Sequence, residues 1–370
     1  MTYDLIVVGA GIVGLAHAYT SARRGLKTLV LERDAQCIGA SVRNFGFITV
    51  TGQRAGAHWQ RAMRSREIWN QLAPQAGIEV LHRGLWMAAR RPAAHAVLEA
   101  FMQTEMAAGC ELLTPKAAAA RHPALRTEGL QSVLYSPHEL RVESRSAIPR
   151  LAEWLHTQCD VDFRFGEEVL EVAAPRVRSS HALYEAERVV VCTNAAPGGL
   201  FAPTWAQHQL QQCQLQMLRV RPQPGFVLQG SVMGDLSLVR YEGYAALPAA
   251  QALRAQLQQE EAASLGHGIH LIVVQSADGS LVVGDSHHYG AAPAPFALEA
   301  VDALILRHLR EALQLSEAQV VERWVGTYPV SSAEPCIVHA PDSATRAVAV
   351  TSGSGASTAL GLAEEVFAAW

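Results

Sequence analysis

Lysine is nearly absent from this sequence of 370 residues. Of its 30 basic residues, only Lys27 and Lys116 are lysines, and all the others are arginines. The chain contains neither the GxxxxGK(S/T) loop that binds nucleoside triphosphates nor an SxxK motif, and neither lysine is an obvious Schiff-base residue. Enzyme classes that depend on a lysine side chain are therefore nearly excluded.

Paired cysteines, basic tracts and long apolar segments are also missing. The six cysteines include no CxxC pair, so we expect no zinc knuckle and no disulfide scaffold, and reduced thiols favour a cytoplasmic location. The formal net charge is -4 without a dense basic tract, which argues against nucleic acid as a partner. The longest apolar stretch, 5–20, is broken by glycines, and no charged segment of a secretory signal precedes it. We therefore expect no stable membrane insertion.

Apolar residues are abundant enough to form a large core. Hydrophobic residues make up 49% of the chain and charged residues 17%, which favours two closely associated domains. A β-branched apolar run over 3–8, helical periodicity over 12–24 and a second apolar run over 27–32 together predict a βαβ unit.

The rest of the chain predicts further helices and strands. Periodicity predicts helices at 54–75, 94–107, 114–121, 144–157 and 296–313, and strands near 79–89, 168–172, 182–185, 188–193, 320–328, 336–339 and 347–351. The strand over 188–193 is fully apolar, and we expect the chain to return there to the sheet of the βαβ unit. Alternating segments predict an antiparallel sheet of a second domain, with strands at 215–220, 236–241, 269–275 and 281–285.

The βαβ unit carries a glycine motif that is typical of dinucleotide binding. Gly9, Gly11 and Gly14, in the run Gly9-Ala-Gly11-Ile12-Val13-Gly14, follow the predicted strand and open the predicted helix. Glu32 ends the next strand and is positioned to accept the hydroxyls of an adenosine ribose. An acid at this position disfavours the 2′-phosphate of NADP, which leaves FAD or NAD. The motif's position near the start of the chain favours FAD, although its spacing alone does not distinguish the two.

A second glycine-rich turn precedes a helical pattern near the end of the sequence. It comprises Gly353, Ser354, Gly355, Ala356, Ser357 and Thr358. Unpaired amides and the helix dipole would stabilise negative charge on a reduced flavin there. The alternative is an ordinary helix cap that uses serine and threonine.

Four stretches give the chain a resemblance to the D-amino-acid-oxidase-like FAD-dependent oxidoreductases, the group that includes glycine and sarcosine oxidases. They are 4–14 with its continuation to Glu32 and Arg33, 39–46, 188–195 and 353–358. The resemblance covers essentially the whole chain. It implies noncovalent FAD held by Gly9, Gly11, Ile12, Val13, Gly14, Glu32, Arg33, Ala40, Ser41, Asn44, Gly46, Val169, Thr193, Asn194, Gly353, Ser354, Gly355, Ala356, Ser357 and Thr358.

The fold that this resemblance implies is α/β and of the glutathione-reductase flavoprotein type. A Rossmann-like FAD-binding domain would comprise 1–80, 140–205 and 325–370. An interleaved substrate domain with an antiparallel sheet would comprise 81–139 and 206–324. Both domains are therefore expected to be discontinuous in sequence.

The chain also departs from the sarcosine oxidases it resembles. Gly326 stands where those enzymes tether FAD through a cysteine, so we expect a noncovalent flavin. The lysine that they use to activate oxygen has no counterpart, because Lys27 and Lys116 lie in the wrong regions. A dehydrogenase that passes electrons to another acceptor is therefore an alternative to an oxidase.

Three further segments are similar to a clade associated with phosphonate breakdown. They are 237–244, 270–279 and 284–289. This similarity implies a substrate such as an N-methylated 2-aminoethylphosphonate. Its C–N bond would be oxidised to an imine, which hydrolyses to phosphonoacetaldehyde and methylamine.

Several residues are candidates for contact with a small anionic amine. Arg240 is predicted to end a strand beside Tyr241, and a guanidinium suits a carboxylate or a phosphonate. Arg43 lies in the loop expected to reach the flavin. The alternatives are that Arg240 is a surface arginine at the strand end, that Tyr241 only covers the sheet, and that Arg43 is a solvated loop arginine.

Candidate catalytic residues are His287, His288 and Tyr328. The two histidines follow a predicted strand. They would bind an anion or polarise oxygen beside the flavin, or else they are simply exposed in a loop. Tyr328 stands where related enzymes often place an anion-binding arginine, which mildly favours a head group other than a carboxylate.

We expect no metal site. His267 and His270 would project to opposite faces of a strand, and no cysteine or acid is expected to complete a set of ligands with them. Asp285 is interpreted as a turn residue.

These observations leave three functions open. The first is FAD-dependent oxidation of a small anionic amine, with an aminophosphonate ahead of glycine, sarcosine or a D-amino acid, and with oxygen as the acceptor. The second is an amino-acid dehydrogenase that uses a quinone or a carrier. The third is a flavin-bearing subunit without turnover.

Overall fold

The strands form two sheets in the computed structural model, which describes residues 2–195 and 198–370. The strands are β1 Thr2–Val8, β2 Thr28–Glu32, β3 Phe47–Ile48, β4 Val80–Ala89, β5 Glu111–Leu113, β6 Ser132–Val142, β7 Asp162–Phe165, β8 Val169–Ala173, β9 Arg176–Ser179, β10 Leu183–Val191, β11 Gln211–Pro222, β12 Ser231–Met233, β13 Ile272–Gln275, β14 Leu281–Gly284, β15 His288–Gly290, β16 Ala318–Val330, β17 Cys336–His339 and β18 Thr345–Val350.

Helices cover or connect these strands. They are α1 Ile12–Ala22, α2 Ala57–Gln75, α3 Pro92–Phe101, α4 Pro115–Arg121, α5 Ser144–Cys159, α6 Ala202–Gln207, α7 Asp235–Leu238, α8 Glu242–Ala245, α9 Ala250–Glu260, α10 Ala262–Gly266, α11 Glu299–Ala312 and α12 Gly355–Ala368, with 3-10 turns at Ala40–Val42 and Glu105–Ala107. Among the described residues, no helix combines the length and the apolar character needed to cross a membrane.

The first sheet contains the predicted βαβ unit. Its order is β17-β18-β10-β1-β2-β7, and the strands from β18 to β7 are parallel. Parallel strands need crossover connections, and α1 provides the one between β1 and β2. The predicted return of the chain to this sheet is confirmed, because β10 lies between β1 and β18.

The second sheet is mixed rather than purely antiparallel. Its order is β15-β11-β14-β13-β12-β4-β6-β3, with β16 paired to β11 and β5 to β6. All of these pairs are antiparallel except β12–β4. The expected antiparallel sheet is therefore present, with one parallel pair in it. This sheet and the first one give the predicted α/β fold.

One predicted strand is wrong. Residues 236–241 belong to α7 and to the turn that leads into α8. The segment packs between α3 and β4, so its apolar side chains are buried as a short helix. An alternating pattern over six residues is too short to distinguish these two structures.

Candidate active site

Two adjoining cavities contain most of the predicted site residues. The first, of about 600 Å³, lies at the carboxyl ends of β1 and β2 and is lined by Gly9, Gly11, Val13, Glu32, Arg33, Ala40, Ser41, Val169, Thr193 and Asn194. The second, of about 380 Å³, lies between the two sheets and is lined by Ile12, Val13, Ala40, Ser41, Asn44, Asn194, Gly353, Ser354, Gly355, Ala356 and Ser357. Because they share several lining residues, the cavities form one elongated cleft. Gly14, Gly46 and Thr358 do not line either cavity.

The turn between β1 and α1 requires glycine at two positions, and a side chain closely approaches a third glycine. Gly9 has a φ of +103°, and a Cβ there would lie 2.8 Å from the carbonyl oxygen of Cys192. A Cβ on Gly11 would lie 3.0 Å from Ser41 Oγ, which accepts the Ile12 N–H. A Cβ on Gly14 would lie 1.9 Å from the carbonyl oxygen of Gly9. Gly14 therefore lets α1 pack on β1, whereas Gly11 keeps the helix N-terminus open to the cleft.

Glu32 is held at the end of β2 by two backbone amides. Its Oε2 accepts from the Ala10 N–H at 2.8 Å and its Oε1 from the Asp34 N–H at 3.1 Å. Arg33 is exposed and pairs with Asp34 at 3.3 Å, at the rim of the first cavity. The carboxylate of Glu32 thus has a fixed place on the wall of that cavity.

The opposite wall of the first cavity has unused hydrogen-bonding capacity. Val169 begins β8, and Thr193 and Asn194 follow β10. Thr193 Oγ1 is buried without a partner among the described residues. A buried hydroxyl without a partner is costly, so it indicates a polar ligand in this cavity. The glycine turn, Glu32 and this hydroxyl fit the adenosine diphosphate part of FAD.

The loop at 40–46 is fixed by its own side chains. Asn44 Nδ2 donates to the carbonyl of Ala40 at 2.8 Å, and Asn44 Oδ1 accepts the Gly46 N–H at 2.7 Å. Gly46 has a φ of +63°, and a Cβ there would lie 1.8 Å from the carbonyl oxygen of Val142. Gly46 therefore allows the loop to approach β6, while Ala40, Ser41 and Asn44 face the cleft.

The second glycine-rich turn opens α12 against the second cavity. Gly353 has a φ of +69°, and a Cβ there would lie 2.8 Å from the ring of Tyr328. Ser357 Oγ accepts the Thr49 N–H at 2.9 Å, and Thr358 Oγ1 donates to the carbonyl of Ser354 at 2.9 Å. The Ser357 and Thr358 hydroxyls therefore hold the turn in place, which leaves the backbone at the start of α12 to face the cavity.

The far wall of the second cavity carries an arginine paired with a tyrosine. Arg240 lies in the turn between α7 and α8, not at the end of a strand as expected, and it is half-buried. Its Nη1 donates to the Tyr289 hydroxyl at 3.0 Å. Although burial opposes the charge, Tyr328, Tyr289 and Asp285 together raise the pKa of Arg240. Across residues 2–195 and 198–370, no carboxylate oxygen lies within 4.0 Å of this guanidinium.

Asp285 lies on the same wall, between two histidines. The interpretation of Asp285 as a turn residue is wrong, because it is buried where β14 ends. Its Oδ1 lies 3.2 Å from His270 Nε2, and its Oδ2 lies 3.7 Å from His287 Nε2. The expectation that no acid accompanies His270 is therefore also wrong. Burial raises the pKa of Asp285 to about 7 and, aided by Arg240, lowers the pKa values of both histidines well below their usual range.

The remaining candidates lie at different places around the cleft. His287 and Tyr241 line the second cavity, and the Tyr241 ring packs edge-on against His270. His288 does not line that cavity. Its Nε2 instead contacts His267 Nδ1 at 3.0 Å. The structure thus brings His287 and Tyr241 together and separates His288 from them.

Arg43, Gly326 and Tyr328 also line the second cavity, and Arg43 lines the first cavity as well. Arg43 is exposed, and its Nε donates to the carbonyl of Ile38 at 2.7 Å, so its head group is engaged by its own loop. Gly326 lies in β16, and a Cβ there would lie 3.1 Å from the Arg43 carbonyl oxygen. Burial raises the pKa of Tyr328 well above its usual range, so its hydroxyl is neutral.

Comparison with known proteins identifies the family of this chain. The model of the DAO family, described as FAD dependent oxidoreductase, matches residues 4–369. A glycine oxidase from Bacillus cereus has a TM-score of 0.76 at 16% identity, over 100% of this chain and 96% of that one. An L-proline dehydrogenase from P. horikoshii has a TM-score of 0.76 at 16% identity, over 99% of this chain and 92% of that one.

A curated relative matches over a shorter stretch. One of the subunits of an opine oxidase from Rhizobium meliloti is 36% identical over 87 residues, which is 21% of this chain and 22% of that protein. The match thus spans about a fifth of that relative. The two structures establish the fold, and the family match spans nearly the whole chain. The chain belongs to the DAO family of FAD-dependent oxidoreductases.

Proposed function

We propose that this oxidoreductase oxidises the C–N bond of a small amine that carries an anionic group. An N-methylated or unmethylated aminoalkylphosphonate is the leading substrate. Glycine, sarcosine or a D-amino acid is the alternative within the same reaction class. The glycine oxidase and the proline dehydrogenase with the same fold support an amine or amino-acid substrate.

The observation that carries this proposal is the arginine of the second cavity. Arg240 faces a partly desolvated space with a neutral tyrosine, and none of the described carboxylates balances its charge within ion-pair distance. A buried charge without a counterion is costly, so an anionic ligand group would stabilise it. A guanidinium donates two parallel hydrogen bonds, which suits a carboxylate or a phosphonate.

Two features favour phosphonate over carboxylate. The segments 237–244, 270–279 and 284–289, which are similar to the phosphonate-associated clade, contain Arg240, His270, Asp285, His287 and Tyr289, all of which line the second cavity. Tyr328 also replaces the arginine that often binds a carboxylate in related enzymes. The Arg240 and Tyr289 pair offers donors to a tetrahedral head group with three oxygens.

The chain's own residues would bind and orient the substrate. Bound FAD would supply a hydride acceptor for oxidation of the C–N bond to an imine, which water would hydrolyse to a carbonyl compound and an amine. Arg240 would hold the anionic head group, and the neutral rings of Tyr241 and Tyr328 would limit water in the cavity. Little acid–base machinery is needed once the amine is neutral and positioned.

The test is the visible spectrum of the anaerobic holoenzyme during titration. N-methyl-2-aminoethylphosphonate and sarcosine are added to separate samples, and flavin bleaching is recorded. We expect bleaching by the phosphonate at lower concentrations than by sarcosine. Bleaching by sarcosine alone would refute the phosphonate assignment, whereas no bleaching by any anionic amine would favour a flavin-bearing subunit without turnover.

A dehydrogenase is the second candidate for the same C–N chemistry. The chain's only lysines, Lys27 and Lys116, do not line either cavity, so no lysine ammonium can assist the reaction of the flavin with oxygen. Comparing turnover with oxygen against turnover with a quinone or an artificial acceptor separates the two functions. Faster turnover with oxygen would rule out the dehydrogenase.

A further inference from the structure

Asp285 and one nitrogen of His287, which lie beside His270, offer hydrogen-bond acceptors to the second cavity. His287 Nδ1 lies 2.9 Å from the carbonyl oxygen of Gly268, and a carbonyl can only accept. The neutral His287 ring must therefore carry its proton on Nδ1. Its Nε2 then presents a lone pair toward Asp285 Oδ2, at 3.7 Å.

His270 lies on the other side of the carboxyl group, with its Nε2 3.2 Å from Asp285 Oδ1. The Ser237 hydroxyl lies 3.4 Å from both His270 Nδ1 and the carbonyl oxygen of Leu271. Asp285 Oδ1 is buried and has no hydrogen-bond partner in the described part of the chain.

The Asp285 oxygens and the Nε2 of His287 are acceptors that converge on one place, and they require a ligand with several donors. An ammonium group carries two or three N–H donors and a positive charge, which matches a carboxylate between two neutral imidazoles. Burial, aided by Arg240 on the same wall, lowers the pKa values of both histidines, so both rings remain neutral. A zwitterionic amine would place opposite charges against Arg240 and Asp285.

We propose that Asp285, flanked by His270 and His287, binds the substrate's ammonium group and accepts one of its protons. The N–H bond breaks, the proton moves to a carboxylate oxygen, and the nitrogen keeps the electron pair. The neutral amine that results is the form that can release a hydride from the adjacent carbon. This assignment rests on the proposed function, because it names the part of the same substrate that lies beyond Arg240.

A divalent metal ion is the competing ligand for this group. The nitrogen and oxygen atoms lie within 4.8 Å of one another, and imidazole and carboxylate both bind metals. A metal would add two positive charges beside Arg240 and bring no anion to balance that arginine. An amine with its own anionic group balances both charges, so the observations favour the ammonium.

The titration of Asp285 can be followed only if the neighbouring groups keep their charge over the same pH range. The titratable and charged groups near it are Arg240, Tyr241, His270, His287, Tyr289, Tyr328 and Cys213, with the His267–His288 pair behind His287. Burial raises the pKa values of the three tyrosines, and raises that of Cys213 to about 11. Asp285, with a pKa of about 7, is therefore the acid of this group expected to change charge near neutral pH.

The experiment measures the binding contribution of the amine alone. Calorimetry on dithionite-reduced holoenzyme gives the Kd of 2-aminoethylphosphonate and of ethylphosphonate, and of glycine and acetate as a second pair. Reduced flavin accepts no hydride, so no turnover occurs. In the wild-type protein at pH 8 we expect the amine to improve affinity by roughly tenfold to a hundredfold. In Asp285→Asn this ratio should fall close to one.

Two controls keep the test decisive. Asp278→Asn removes a carboxyl group of the same domain that binds Ser280 and does not line the second cavity, so it should keep the wild-type ratio. In the wild type, lowering the pH from 8 to 5.5 should reduce the ratio as Asp285 becomes neutral, by up to roughly tenfold per pH unit below 7. The ammonium group lowers the second phosphonate pKa of 2-aminoethylphosphonate below that of ethylphosphonate, so the pH series uses glycine and acetate, whose carboxylates both stay mostly ionised down to pH 5.5. This second measurement needs no variant and remains valid if Asp285→Asn does not fold.

The outcomes separate this assignment from the proposed function. If an anionic amine bleaches the flavin but Asp285→Asn keeps the wild-type ratio, the ammonium site is refuted and the amine oxidation stands. If none of the four ligands binds and no amine bleaches the flavin, the proposed function itself is refuted, and the ammonium site is refuted with it. A stoichiometric metal ion in the purified protein, lost in Asp285→Asn, would overturn the assignment in favour of a metal.

Discussion

Replacing Arg240 by alanine tests the anion-binding part of the cleft most directly. The guanidinium donates to Tyr289 at 3.0 Å and has no carboxylate partner within ion-pair distance in the described chain, so its remaining donors are available to a ligand. A hydrogen bond to a charged group contributes about 1.5–3 kcal/mol. Two such bonds, discounted because Arg240 is only half-buried, give about 3 kcal/mol, or roughly a hundredfold in Kd.

The assay is anaerobic stopped-flow reduction of the flavin at increasing amine concentration. We expect Arg240→Ala to raise the apparent Kd about a hundredfold while flavin content stays at the wild-type level. Arg240→Lys keeps the charge but loses the planar pair of donors, so its apparent Kd should lie between those of the wild type and Arg240→Ala. Arg254→Ala is the matched control, because Arg254 is exposed and donates to the Val239 carbonyl outside the cavity. Loss of flavin in Arg240→Ala, or an unchanged Kd, would refute the reasoning.

Three further predictions concern the cofactor, the packing of the first sheet and acid stability. Gly11→Val should abolish FAD retention, seen as lost visible absorbance with an unchanged far-ultraviolet dichroism spectrum, because the valine side chain would displace Ser41 Oγ and occupy part of the first cavity; normal flavin content would contradict it. Gly14→Ala should lower the free energy of unfolding by about 3 kcal/mol in denaturant titration, since its Cβ would lie 1.9 Å from the Gly9 carbonyl oxygen. Burial lowers the pKa of His17 to about 4, so the unfolded chain alone binds this proton between pH 6.5 and 4, and stability should fall as the pH is lowered through that range. His17→Gln should show a weaker fall, and an equal fall would contradict this cause.

The first sheet could be predicted from sequence because its signals are local. The strand, glycine turn and helix of 3–24, and the acid at Glu32, follow one another within 30 residues. Gly9 and Gly14 meet backbone atoms that leave no room for a Cβ, so the motif directly reflects the steric requirement at these two positions. Local patterns of this kind need no knowledge of distant contacts.

The amine side of the cleft could not be predicted in the same way, because it depends on strand register. The backbone N–H groups of His270 and Asp285 each donate to the other's carbonyl, which places the two residues opposite each other beyond β13 and β14. Both strands were predicted, but the turn that joins them sets which residues pair. A shift by one residue would have turned Asp285 to the other face. For a similar reason, the sequence did not predict that Arg240 lies in a turn. Contacts with α3 and β4 bury the residues before it as the short helix α7.

Arg240 and Asp285 together explain why the cleft would prefer a zwitterion to either half of one. Both line the same partly desolvated cavity, where an unbalanced charge is more costly than in water. A simple anion would pair with Arg240 but leave the Asp285 oxygens and the His287 lone pair without donors. A simple amine would satisfy those acceptors but leave the guanidinium unbalanced. A short molecule with an anion at one end and an ammonium at the other satisfies both groups, and the distance between those groups then limits the length of chain that fits.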